Sequence, residues 1–150
     1  MSIEGGCMCG AVRYRTEEEA PPCYACYCTD CQRRSGSSHA LTMPLWRDKF
    51  TVEGKTVQGA RTLASGVAAT VHSCPVCLTE IYSHNEQLPD IVTLRAGTLD
   101  DARSLTPAAY MWIGSRQPWI ELPEGARTYD TQPNDPVEWG DILEFRRRSV

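Results

Sequence analysis

The stretch Cys23-Tyr24-Ala25-Cys26-Tyr27-Cys28-Thr29-Asp30-Cys31-Gln32-Arg33-Arg34-Ser35-Gly36 places four cysteines within nine positions, and the rest of the chain must fold to present them. At its centre, Cys26-x-Cys28-x-x-Cys31 offers three sulfurs that can converge on one metal ion. Three protein ligands leave a zinc position open for chemistry, whereas four close it and make the site structural. Cys23 is the ambiguous neighbour. If Tyr24 to Cys28 is extended, side chains alternate, so Cys26 and Cys28 share a face while Cys23 points to the other. A turn after Pro21-Pro22 would be needed to make Cys23 a ligand; its alternative is a small buried hydrophobe. His39 is another candidate fourth ligand and His72 a more remote one, each with an ordinary hydrogen-bonded or exposed histidine as the alternative.

Outward from this stretch, Thr29 to Arg34 reads as one helical turn with Thr29 or Asp30 as N-cap, ended by Ser35-Gly36-Ser37-Ser38. From His39 the pattern changes to short strands: Ala40 to Pro44, Phe50 to Glu53, Val57 to Leu63, Val67 to His72, then Ile81 to Ser83 and Ile91 to Arg95. Turn-forming residues separate them, which predicts a mainly β chain. Thr98 to Ala102 reads as a short helix. Upstream, Ala11 to Arg15 alternates like a half-buried strand, and Glu17-Glu18-Glu19-Ala20-Pro21-Pro22 reads as an exposed loop. The segment from Pro107, with Tyr110, Trp112 and Trp119, supplies aromatics that could line a cleft or fill a core. A single domain over residues 1–150 is expected, with an irregular tail from about residue 130.

Two further cysteine pairs flank the strands. Cys7-x-Cys9 lies between glycines that permit tight backbone turns. Cys74-Pro75-Val76-Cys77 is a knuckle that points two sulfurs to one side, and its redox reading would need a thioredoxin-like βαβ context that the strand pattern lacks. Pairing the two gives a four-thiolate site that joins the first strand to a late one. Metal binding there would be folding free energy.

Composition excludes several functions. With a formal net charge of -4, a nucleic-acid partner held by bulk electrostatics is not expected. The basic run Arg146-Arg147-Arg148 reads as a solvated tail. No apolar run long enough to span a membrane occurs, and the N-terminus has neither the basic nor the apolar region of a secretory signal. A cytoplasmic protein is therefore expected, in which eight cysteines stay reduced and serve as metal ligands rather than disulfides.

The ordered set Gly6-Cys7-x-Cys9-Gly10-x-Val12-Arg13-Tyr14, Cys26-x-Cys28-x-x-Cys31-x-Arg33-Arg34-Ser35-Gly36 and Cys74-x-x-Cys77 resembles the glutathione-dependent formaldehyde-activating enzyme family, which includes the centromere protein V type. The likeness runs from about Gly5 to Tyr82, and Trp112 to Pro123 is similar to the family's C-terminal end. It implies an Mss4-like, zinc-stabilised β-sheet fold with two zinc ions per chain. Cys7, Cys9, Cys74 and Cys77 match the structural ligands, and Cys26, Cys28 and Cys31 match the site of chemistry. The activity implied is that of a carbon-sulfur lyase, with glutathione and formaldehyde condensing to S-hydroxymethylglutathione. Leu78 departs from the glycine common after the last cysteine, and Cys23 is additional.

A zinc held by three thiolates can lower the pKa of an incoming thiol. Arg33, Arg34 and Ser35 follow the ligands directly, where guanidinium groups could pair with the carboxylates of a glutathione-like tripeptide; a solvated face or structural salt bridge is the alternative. His39, Asp30 and Glu80 are available as acid or base, and spacing does not choose among them. Two rival readings stay open: a non-catalytic zinc-stabilised binding module, and a thiol redox or metal-handling protein.

Overall fold

In chain order, the computed structural model contains β1 (Ile3–Gly6), β2 (Arg13–Thr16), β3 (Tyr24–Cys26), α1 (Thr29–Ser35), β4 (Ala40–Trp46), β5 (Phe50–Glu53), β6 (Val57–Thr62), β7 (Ala68–Ser73), β8 (Glu80–His84), β9 (Ile91–Arg95), β10 (Ala109–Met111) and α2 (Pro136–Leu143). It describes residues 3–63 and 65–143. The basic run at Arg146 to Arg148 lies outside the described residues. The chain is mainly β, as the spacing of apolar runs and turns predicts, with an Mss4-like architecture.

Two compact units are formed, one from Met1–Ala20 and Met43–Leu105, the other from Pro21–Thr42 and Thr106–Val150. In the first, β1, β2 and β5 make a three-stranded antiparallel sheet in which Tyr14 sits opposite Gly5 on one side and Val52 on the other. A Cβ at Gly5 would overlap the Tyr14 hydroxyl and the Thr98 carbonyl oxygen, so only glycine lets these groups approach. Strands β6 to β9 form an antiparallel meander. Strands β8 and β9 alternate, burying Ile81, Ser83, Val92 and Leu94, the period of two expected of strands with one face on a core. Val12, Leu45, Ile81 and Leu94 are wholly buried.

The second unit is built on β3. It pairs antiparallel with β4, placing Cys26 opposite Ala40, and parallel with β10, placing Cys26 opposite Met111. Helix α2 packs Ile142 and Leu143 against Ala109 and Met111 of β10, with Tyr24, Trp112, Tyr129 and Trp139 around them.

Several elements differ from the sequence reading. The strand expected from Ala11 begins at Arg13, because the backbone up to Val12 is still closing a turn onto Cys7. The helix expected over Thr98 to Ala102 is replaced by two 3-10 turns, Ala96–Thr98 and Ala102–Ser104. The cap of α1 is Cys28, not Thr29 or Asp30: its backbone is extended and its sulfur accepts the Cys31 N–H at 3.3 Å. The segment beyond residue 130 contains α2.

Candidate functional site

The first cysteine group lies in the first unit. The Cys7 N–H donates to the Val12 carbonyl at 3.0 Å and the Gly10 N–H to the Cys7 carbonyl at 3.1 Å, which curls the loop around the Cys7 sulfur. The Val12 N–H then donates to that sulfur at 3.2 Å. Across from it, the Leu78 N–H donates to the Cys74 carbonyl at 2.9 Å and the Val76 N–H to the Cys74 sulfur at 3.4 Å. The two loops meet where the Met8 N–H donates to the Thr79 hydroxyl at 3.3 Å. Leu78 holds φ +63°, the left-handed conformation that glycine adopts freely, so the leucine preserves the knuckle's path rather than reshaping it.

The result brings Cys7, Cys9, Cys74 and Cys77 together with their sulfurs within 4.8 Å of one another. Cys7 and Cys9 sulfurs are 3.6 Å apart, and Cys9 and Cys74 sulfurs 3.7 Å. A tetrahedral zinc with sulfur ligands at about 2.3 Å has edges of about 3.8 Å, so the donor set fits that ion in both chemistry and spacing. The Thr79 hydroxyl, 3.1 Å from the Cys77 sulfur, and the Thr79 backbone hold that thiol down to about 5. His72 is not in this group; its ring bonds Thr56 and His84 and stacks on Tyr82.

The second group, in the second unit, consists of Cys26, Cys28 and Cys31, again with sulfurs within 4.8 Å. Cys26 ends β3, Cys28 caps α1, and Cys31 sits in the helix's first turn, so strand, cap and helix each fix one sulfur. The group is partly buried and lies against Ala40, Tyr24 and Trp112. Hydrogen bonds from Cys26 and Cys28, with the Arg34 guanidinium 3.6 Å from its sulfur, hold Cys31 far below the ordinary thiol range, while Cys28 and Cys31 push Cys26 up. The thiolate is the metal-binding form of cysteine, and three thiolates suit zinc.

Cys23 is not brought into the group. It is buried, and its sulfur faces the Thr106 carbonyl at 3.9 Å. His39 also stays outside: Nδ1 bonds the Ser38 hydroxyl at 2.8 Å and the ring lies on Tyr27, with centroids 5.0 Å apart. Burial holds His39 below the usual imidazole value, and the charge on Cys31 partly offsets this. Arg33 and Ser35 are exposed in the last turn of α1, Ser35 donating to the His39 carbonyl at 3.1 Å. Asp30 is exposed in the first turn. Glu80 belongs to the first unit, paired with Arg95 at 2.7 Å.

Sequence reasoning missed Gln32. Its amide donates to the carbonyls of Tyr27 at 2.6 Å and Ser115 at 2.9 Å and accepts from Gln117 at 3.1 Å, fastening the ligand helix to the segment after β10. A glutamine beside a ligand gives no chemical signal of its own; only its place one residue past Cys31 could have drawn attention.

Residues 2–115 match the sequence profile of the glutathione-dependent formaldehyde-activating enzyme family, a span that includes every cysteine. The chain belongs to that family. A family relative from Halomonas elongata, named "Putative glutathione-dependent formaldehyde-activating enzyme", is 25% identical over 148 residues, covering 93% of this chain and 94% of its own. A crystal structure of a Rhodobacter sphaeroides protein superposes with a TM-score of 0.51 over 84% of this chain and 98% of that one, at 17% identity, a likeness of fold. No helix among the described residues is long and apolar enough to cross a membrane.

Proposed function

We propose that this protein is a zinc enzyme that joins the thiol of glutathione to formaldehyde or a similarly small aldehyde, and reverses that step, at Cys26, Cys28 and Cys31. The observation that carries the reading is the count of converging sulfurs: three at the second group, with Cys23 turned toward Thr106, against four at the first. Four thiolates at Cys7, Cys9, Cys74 and Cys77 suit a structural zinc, and three suit one with an open position. Family membership supports glutathione and formaldehyde as the small-molecule partners.

Zinc bound by the three cysteines would supply a Lewis acid that favours the thiolate form of an incoming thiol. The chain's own residues bind and orient. Cys28, fixed as a cap, and Cys31, in the helix, hold their sulfurs at a set spacing without reorganisation. Arg34 offers positive charge at the Cys31 sulfur. Arg33, exposed on the same turn, would pair with a substrate carboxylate, and Ser35 closes that turn. In the reaction, the carbon-sulfur bond forms as the carbonyl π bond opens, and the thiol proton ends on the aldehyde oxygen.

The test is exchange spectroscopy on glutathione and formaldehyde by NMR, with and without the zinc-loaded protein, since the reaction also runs uncatalysed. Cys28→Ala is expected to retain the fold and one zinc but to return exchange to the uncatalysed rate. Equal exchange with and without wild-type protein, at full zinc occupancy, would leave the zinc-stabilised binding module as the better reading.

A further inference from the structure

Trp112 occupies a backbone conformation that a bulky side chain rarely takes, φ 58° and ψ 39°. Its neighbours hold it there. The Trp112 N–H donates to the Thr131 carbonyl at 2.6 Å, its carbonyl accepts from Ser115 at 3.1 Å, and the indole N–H donates to Gln132 at 3.4 Å. The preceding carbonyl, of Met111, accepts from the Tyr27 N–H at 2.9 Å. Backbone strain held by so many partners gathers at functional sites, because elsewhere a glycine would make the same turn without it.

The turn sets the indole against the reactive group. Met111 is in register with Cys26, and Trp112, the next residue, packs on the cluster of Cys26, Cys31 and Ala40 while remaining partly exposed. The same ring also packs on the core cluster of Ala109, Met111, Ile142 and Leu143, so it bridges that core and the cysteine group. Building on the reading above, we propose that Trp112 is the specificity wall of the three-thiolate site. It flanks the position where thiol and aldehyde meet and admits aldehydes with little or no substituent on the carbonyl carbon.

The test compares wild type with Trp112→Gly, which removes the wall and relaxes the backbone, and Trp112→Phe, which keeps an aromatic face. With glutathione as thiol, the ratio of kcat/KM for isobutyraldehyde to that for formaldehyde should rise about ten-fold or more in W112G, the discrimination that a few carbons produce against a pocket wall. It should rise far less in W112F. A second readout needs no turnover: in cobalt-substituted protein, the visible bands of the second site, isolated by subtracting those of Cys28→Ala, are titrated with 2-mercaptoethanol and with tert-butyl thiol. Wild type should respond to the unhindered thiol alone, and W112G to both.

If wild type turns over no aldehyde yet the cobalt bands show this selectivity, the catalytic reading falls and the wall stands. If W112G binds two metals per chain and keeps the wild-type preference in both assays, the wall is overturned. Should W112G fail to fold, Trp112→Leu takes its place, and unchanged preference there overturns it equally.

Discussion

Leu78 shows what a single residue can cost. A left-handed conformation is worth about 1–2 kcal/mol against a non-glycine residue, and with its side chain 73% exposed Leu78 has little packing to offset it. Glycine would remove that strain but adds about 0.5–1 kcal/mol of unfolded-state freedom. Leu78→Gly is therefore expected to stabilise the zinc-loaded protein by about 0.5–1 kcal/mol, read by denaturant unfolding at fixed free zinc; a loss of stability would mean the side chain makes contacts of its own. Tyr14 acts in the opposite sense. Burial, only partly countered by the Thr98 hydroxyl at 2.8 Å, pushes its phenol from 10.0 to about 12. The folded chain keeps this proton where the unfolded chain has lost it. The contribution is thus complete below pH 10 and disappears as pH rises toward 12, on the order of 3 kcal/mol in all. Following stability across this range should show a decline that Tyr14→Phe lessens; equal slopes would sink the assignment.

Among the elements, those with strong periodicity were legible and the short or unusually capped ones were not. Strands β5 and β9 were read with the right ends, since apolar residues alternate between clear turns. Strands β1, β3 and β10, three or four residues each, are too short to show a period, and β1 contains two glycines. The cap of α1 is not legible in sequence, because a thiol is not among the usual capping groups. Helix α2 has a start legible in sequence: Asp135 accepts the Val137 N–H at 2.8 Å, and Pro136 follows it in the first helical position. Asp135→Ala should cost about 1 kcal/mol. A shift in the denaturant midpoint at constant slope is the expected result, and an unmoved midpoint would show that tertiary contacts alone hold α2.

For the whole molecule, both ligand groups were legible because cysteine spacing carries chemistry directly. What spacing could not settle was the direction of Cys23, which depends on how β3 follows Pro22, or the strained turn at Trp112, which has no glycine to mark it. The wild-type protein is expected to contain two zinc ions per chain by elemental analysis, with a strong chelator removing the one at Cys26, Cys28 and Cys31 first, since it has fewer protein ligands. Cys74→Ala should lose the other ion and the folded state with it, because structural zinc contributes on the order of 10 kcal/mol to small folds. A soluble, cooperatively unfolding Cys74→Ala chain would reject that role.

The sequence separation of the two groups also sets a timetable. Cys26, Cys28 and Cys31 leave the ribosome almost together, but the Cys9 sulfur meets that of Cys74 across 65 residues. At ~5–20 residues per second, that interval lasts roughly 3–13 s. Once Cys31 has been made, and for the rest of that interval, Cys7 and Cys9 are an incomplete pair on the same chain as a finished set of three, so a zinc ion captured early could bridge the wrong sulfurs. If zinc fills both groups, correct loading then depends on the late knuckle completing the four-thiolate set with Cys7 and Cys9.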